Sequence, residues 1–193
     1  MMVNKEYWET RYANQEIGWD VGEITTPLKI YIDQLFDNNL KILIPGAGNS
    51  YEFDYFLKNN FTNVSVLDFA EKPLQNIKKR VTNVNPNQLI LSDFFEHEEQ
   101  YDLVMEQTFF CALDPELRKK YATKMNSLLK PKGKLVGLLF DFPLTEVGPP
   151  FGGSIEEYRT LFSPYFHIKI LEKSYNSIKP RDGKELFVIF EKK

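Results

Sequence analysis

The sequence has one cysteine, two histidines, no basic excess and no long apolar run, and each shortage removes a class of function. The single Cys111 cannot build an intrachain disulfide framework or a Cys-rich zinc site, so no metal is expected and a reducing, cytoplasmic setting is the default. With 24 Lys plus Arg against 27 Asp plus Glu the formal net charge is −3. That balance argues against nucleic acid or an anionic membrane as the main partner, because phosphate binding leaves a basic excess on a domain. No segment approaches the roughly 20 apolar residues of a membrane span. The N-terminal segment 1–12 is charged and aromatic where a signal peptide carries a continuous apolar run.

What is present is an ordinary globular composition, 42% apolar and 26% charged over 193 residues. A chain of this length can bury roughly 70% of its unfolded surface, so a single domain needs no crosslinks. Monomer is the default. Neither repeats nor low-complexity tracts are present, and apolar runs alternate in type. Leu40 to Ile44 is a short β-branched run stopped by Pro45-Gly46-Ala47-Gly48, and Tyr51, Phe53, Phe56 and Leu57 then follow at helical spacing. Val64 to Leu67 ends at Asp68 and feeds a helical pattern from Ala70 to Arg80. Leu89 to Leu91 and Tyr101 to Met105 read as a third and a fourth strand. Asp114-Pro115 is a helix start, with Asp as N-cap, and that helix is expected to run to Lys130-Pro131. Lys134 to Phe140 reads as a fifth strand buried on both faces.

Residues 142–154 hold three prolines and three glycines and read as a long loop near a site, or a lid. A helix near Ile155 to Phe162 then precedes strands at Phe166 to Lys173 and Leu186 to Glu191, whose short connection makes them an antiparallel hairpin. The expectation is an α/β fold: a doubly wound, mostly parallel seven-stranded sheet with one antiparallel strand near the C-terminal edge. Within one domain, residues 1–38 form an N-terminal cap and helix, 39–141 a ligand-binding core, and 142–193 an acceptor-side loop, helix and hairpin.

Ligands in such sheets bind beyond the carboxyl ends of the strands, where strand order reverses. Those ends carry Gly46 and Gly48, Asp68-Phe69, Asp93-Phe94 and Glu106-Gln107. Gly46 and Gly48 match the first half of a dinucleotide fingerprint, but Tyr51 takes the place of its third glycine, which argues against a bound pyrophosphate. Asp68, 22 residues after Gly46, has the spacing of a carboxylate that accepts from ribose hydroxyls. An adenosine without phosphates fits both features, and S-adenosyl-L-methionine is the commonest such ligand. Asp93 would meet the adenine amine and Phe94 its face. The alternative is that each acid simply ends a strand. Trp8 and Trp19, both before the first strand, suit a sulfonium, because aromatic faces attract a cation by about 0.5–2 kcal/mol; otherwise they cover the sheet.

At this point the residues resemble a family. Trp8, Tyr12, Trp19-Asp20-Val21-Gly22, Ile44 to Gly48, Leu67-Asp68, Asp93-Phe94-Phe95, Thr108 to Pro115 with Arg118, Leu129 to Gly133 and Gly148 to Phe151 are similar to class I methyltransferases of the thiopurine S-methyltransferase family. The likeness is nearest to the halide and thiol (thiocyanate) branch. It implies that Trp8, Tyr12 and Trp19 cap the cofactor and that Gly46, Gly48, Asp68, Phe69, Asp93, Phe94 and Gln107 contact it. The plant relatives usually carry Trp where Tyr12 stands, an acid and Tyr where Glu106-Gln107 stand, and often Tyr at Phe151.

The expected activity is methyl transfer from S-adenosyl-L-methionine, leaving S-adenosyl-L-homocysteine, to a small-molecule acceptor: a thiol, thiocyanate or halide. An in-line displacement needs mainly a desolvated nucleophile, and an anion needs no base. Asp141 and Phe151 are the acceptor-side candidates. His97 and His167 are read as surface, Cys111 as a small buried hydrophobe, and Arg118 as half of a structural ion pair. Two rivals stay open: a non-catalytic cofactor-binding module, and an NAD-dependent oxidoreductase.

Overall fold

The computed structural model describes residues 4–82 and 84–193, so Met1 to Val3 of the expected cap segment and Asn83 lie outside it. Helix α1 (Lys5–Ala13) starts where the Asn4 side chain accepts the Tyr7 N–H at 2.9 Å. Helix α2 (Thr26–Asp33) follows with Pro27 in its first turn. The core then alternates as its apolar runs predict: β1 (Ile42–Pro45), α3 (Tyr51–Lys58), β2 (Val64–Asp68), α4 (Glu71–Arg80), β3 (Leu89–Leu91), β4 (Tyr101–Gln107), α5 (Arg118–Leu128) and β5 (Leu129–Phe140). Helix α6 (Ile155–Phe162) and strands β6 (Phe166–Lys173) and β7 (Glu185–Lys192) complete the chain. Among the described residues no helix is long and apolar enough to cross a membrane.

The seven strands lie in the order β3-β2-β1-β4-β5-β7-β6, and β7 runs antiparallel to both neighbours while the rest are parallel. Strand order therefore reverses between β1 and β4, which opens a crevice at their carboxyl ends. Alternate residues of the central strands enter two cores. Leu43, Val104, Leu135 and Leu139 pack with Tyr121, Tyr158 and Phe162 of α5 and α6. Ile42, Ile44, Met105, Val136 and Leu138 pack with Leu28, Ile32, Phe53, Phe56 and Ile77 of α2, α3 and α4. Strand β5 is thus buried on both faces, as its apolar run requires.

Two local expectations need correction. Asp114 caps a short 3-10 turn, Pro115–Leu117, whose end leads into α5, and α5 stops at Leu128 instead of reaching Lys130. The reason is tertiary: Leu129 is already extended and pairs with Tyr101, and a side chain at Gly133 would come within 3.0 Å of the Tyr101 carbonyl. His97 is not a freely solvated side chain; its Nε2 lies 2.8 Å from the Tyr101 hydroxyl, and burial lowers its proton affinity.

Candidate functional site

The crevice floor is the turn after β1. Gly46 and Gly48 both have left-handed backbone, with φ of 56° and 54°. Their missing side chains make room for specific neighbours. A Cβ on Gly46 would lie 2.0 Å from Cδ2 of Phe109, and one on Gly48 would lie 3.1 Å from the Tyr12 hydroxyl. The Gly48 N–H is donated to Asp68 Oδ2 at 3.1 Å, and the Ala70 N–H to Asp68 Oδ1 at 2.9 Å. Asp68 is 7% exposed, and burial pushes its carboxyl up to about 6 against the lowering pull of those N–H donors.

Tyr51 is explained by what surrounds it. Arg80 reaches back from the end of α4, pairs with both oxygens of Asp54, donates to the Asn49 carbonyl at 2.5 Å and lies 4.7 Å from the Tyr51 ring centroid. The Tyr51 hydroxyl donates to Asp20, which also takes the Asn49 amide. Glu52 and Asp54 occupy the first turn of α3. Tyr51 thus fills the place of the third glycine and is held there by Arg80 and Asp20, so side chains occupy the usual pyrophosphate site.

Over the turn lies an aromatic cluster. Trp8 and Tyr12, one helical turn apart on α1, both meet the Trp19 ring edge-on, at 5.1 and 5.7 Å between centroids. The Arg11 guanidinium sits 5.6 Å from the Trp19 ring, so the cluster already attracts a cation. Three anchors hold it in place: Glu9 accepts the Glu71 N–H at 2.7 Å, Asp20 binds Asn49, and Arg181 donates to the Trp19 carbonyl at 2.6 Å. Burial and the neighbouring Asp68 keep the Tyr12 hydroxyl firmly protonated.

The remaining strand ends divide. Asp93 is exposed at the rim, where its Oδ1 accepts the Phe95 N–H at 2.7 Å, and Phe69 is half-buried beside Asp68. Phe94 is 4% exposed and stacks on Tyr121 within the core, so its ring supports Phe109 from behind instead of standing free in the crevice. After β4 the chain turns sharply at Thr108 (φ 62°), which lets the Phe109 and Phe110 N–H groups donate to Glu106 Oε2 at 3.1 and 3.2 Å. Glu106 is 1% exposed, and burial pushes its carboxyl up to about 7. Phe109 and Glu106 are thus site residues whose roles strand-end spacing alone does not reveal.

Gln107 is tied into a buried polar chain. Its Oε1 accepts from the Thr25 hydroxyl at 2.9 Å, its Nε2 donates to Glu185 Oε1 at 3.4 Å, and Arg181 Nη1 lies 3.5 Å from that same oxygen. Thr25 therefore serves β4 instead of capping α2 with its side chain. On the acceptor side, Asp141 pairs with Lys173 at 2.5 Å and opens onto a shallow groove of about 440 Å³ shared with Phe142, Pro143, Leu144 and Glu157. The loop expected as a lid is closed on itself by a Phe142–Gly153 bridge, and Phe151, 8% exposed, donates its N–H to the Cys111 carbonyl at 2.8 Å. Arg118, 4% exposed, pairs with Glu157 and donates to the Gly152 carbonyl at 2.6 Å, a structural pair as its position suggested. Cys111 is buried, and burial raises its thiol well above the usual range, in keeping with packing.

A glycine turn with its N–H taken by a buried ribose-type carboxylate, closed to phosphates and roofed by cation-attracting aromatics, suits an adenosyl group bearing positive sulfur. Fold and site together define a class I methyltransferase dependent on S-adenosylmethionine. A 1,6-didemethyltoxoflavin N1-methyltransferase from Burkholderia thailandensis, solved with S-adenosylhomocysteine, superposes with a TM-score of 0.77 over 98% of this chain and 87% of its own at 16% identity. A magnesium protoporphyrin IX methyltransferase from Synechocystis, solved with the cofactor bound, superposes at 0.74 over 98% and 95%, with 11% identity. The family model described as thiopurine S-methyltransferase matches residues 3–192, and the chain belongs to that family. It is 30% identical to a probable thiol methyltransferase 2 of Arabidopsis thaliana, over 92% of this chain and 81% of that protein. It is 28% identical to thiocyanate methyltransferase 1 of Brassica oleracea, over 95% of this chain and 83% of that protein.

Proposed function

We propose that the enzyme moves the methyl group of S-adenosyl-L-methionine to a small soft nucleophile, a thiol, thiocyanate or halide, in the cytoplasm and as a monomer. The observation that carries this reading is the junction of Gly48, Asp68, Tyr12 and Trp19, which brings a glycine turn, a buried carboxylate and aromatic rings together at the carboxyl ends of β1 and β2. Trp8, Tyr12 and Trp19 (within 1–38) form the roof, and Gly46, Gly48, Asp68, Phe69, Asp93 and Gln107 (within 39–141) the cofactor walls, with Phe94 backing Phe109 from the core. Asp141 and Phe151, at the junction with 142–193, face the acceptor.

When bound, the cofactor supplies an electrophilic methyl on a sulfonium. The chain's own residues orient and desolvate. Each Asp68 oxygen keeps a lone pair after accepting its backbone N–H, so the carboxylate can take the ribose hydroxyls. The aromatic roof holds positive charge and excludes water, which strengthens every electrostatic contact beneath it. In-line displacement requires the nucleophile opposite the methyl–sulfur bond, and Asp141 and Phe151 would line that approach.

Calorimetry with S-adenosylhomocysteine tests the cofactor half: ligand at 100 times its dissociation constant stabilises the fold by about 2.7 kcal/mol. NADH gives no such gain. Stabilisation by NADH alone would favour the oxidoreductase reading, which Tyr51 at the start of α3 opposes. Labelled methyl transfer to a mixture of thiols, thiocyanate and iodide tests the acceptor half; binding without transfer to any of them would leave a non-catalytic module.

A further inference from the structure

The chain Thr25–Gln107–Glu185–Arg181 is the least expected feature of the crevice. It sets a carboxylate that is 2% exposed at the carboxyl end of the sheet, where Glu185 pairs with Phe140 and flanks Asp141. Glu185 Oε1 meets Gln107 Nε2 and Arg181 Nη1, whereas Oε2 is buried with no partner among the described residues. A buried carboxylate oxygen without a donor is costly, on the order of 1–3 kcal/mol or more, so its retention asks for a donor that arrives with a ligand. The surrounding charge says what kind. Glu106 acts electrostatically with this group, Glu52 lies in the field of Arg181, Asp141 lies one residue beyond the strand partner of Glu185, and Arg181 already serves both Glu185 and the Trp19 carbonyl. Lys173 is engaged by Asp141. Asp141 and the Oε1 side of Glu185 are already paired with cations, so the unpartnered Oε2 is what an acceptor would meet: a group carrying a hydrogen satisfies it, whereas an anion would be repelled by it.

Building on the methyl-transfer reading, we propose that Glu185 Oε2 receives the proton of the acceptor, and that the acceptor is therefore a thiol still carrying its hydrogen, neutral or cationic, in preference to thiocyanate, halide or an anionic thiol. As the thiol sulfur forms its bond to the methyl carbon, the methyl–sulfonium bond breaks and its electron pair returns to the donor sulfur. The S–H proton passes to Glu185 Oε2 and leaves to water with the product. Any carboxylate is a weak base for a free thiol but a sufficient one here, because a thiol sulfur that is gaining a methyl group becomes far more acidic than a carboxylic acid.

Three thiols of similar size separate the charge requirement: cysteamine (cationic), 2-mercaptoethanol (neutral) and thioglycolate (anionic), run beside thiocyanate and iodide. In the wild-type complex with S-adenosylhomocysteine, calorimetry should show the first two binding at least about tenfold more tightly than the anions, and turnover should follow the same order. Glu185→Gln should lower kcat/KM for 2-mercaptoethanol about 10²-fold, while iodide methylation holds or rises and S-adenosylhomocysteine affinity stays within about threefold. Tighter binding and faster methylation of thiocyanate or thioglycolate by the wild type would overturn the proposal, and so would a Glu185→Gln enzyme that keeps its thiol activity. The wild-type binding series needs no variant, so it decides the matter even if Glu185→Gln fails to fold. Failure of the wild type to bind S-adenosylhomocysteine, or to methylate any of the five, would instead reject the methyl-transfer reading on which the proposal rests.

Discussion

Replacing Gly46 by alanine tests whether the glycine turn and the Phe109 ring form one rigid floor. Alanine at φ 56° incurs the left-handed penalty of roughly 1–2 kcal/mol. Its Cβ would also lie 2.4 Å from Cγ of Phe109. Cγ is the root of the ring, so swinging the ring tip gives no relief. Phe109 must move as a whole, against Phe94 and Tyr121 at centroid distances of 5.1 and 6.0 Å. Overpacking of this kind costs about 1–3 kcal/mol more. The sum, about 2–5 kcal/mol, lowers the melting midpoint by on the order of 10 °C in a chain of this size. Gly183 supplies the internal control: its φ is 71°, and a Cβ there meets nothing within 4 Å, so Gly183→Ala bears the backbone penalty alone. Scanning calorimetry should place Gly46→Ala well below Gly183→Ala, with S-adenosylhomocysteine recovering less of the loss than it adds to the wild type. Equal midpoints for the two variants would refute the idea that Phe109 is pinned on the turn.

Arg118→Met removes the charged donor that joins α5, α6 and the acceptor-side loop; losing its bond to the Gly152 carbonyl should destabilise the fold by about 1.5–3 kcal/mol. Steady-state kinetics should show acceptor KM rising more than the S-adenosylhomocysteine dissociation constant, since the loop at Phe151 sits on the acceptor side. Glu106 makes stability pH-dependent. Its folded carboxyl titrates at about 7 against an ordinary value of 4.5, so between these values the folded state binds more protons than the unfolded one, and stability falls as pH rises through that window. Urea unfolding at pH 5 and pH 7 should show that decline, and Glu106→Gln should make it shallower; an unchanged slope would mean that Glu106 is already ionised in the fold.

Much of the architecture was readable because it is local. The β-branched runs, their stops at Pro45-Gly46 and Asp68, and the helical spacing of Phe53 and Phe56 each depend on neighbours within one or two turns, and all reappear as elements with the expected order. Expectations failed where a distant partner intervened. Leu129 left its helix to pair with Tyr101, and Phe94 went under Phe109 into the core.

The amino-acid sequence by itself determined the α/β alternation, the glycine turn and the Asp68 spacing, and with them the class of cofactor, because backbone freedom and apolar periodicity are properties of short segments. Tertiary structure alone decided which polar groups share the crevice. Thr25 meets Gln107 across 82 residues, Gln107 meets Glu185 across 78, and Arg181 meets the Trp19 carbonyl across 162. No periodicity links such positions; they come together only because the sheet reverses its order between β1 and β4 and the last hairpin returns to the same edge. Burial then converts that proximity into chemistry, since a lone oxygen on Glu185 matters only once water has been excluded from it.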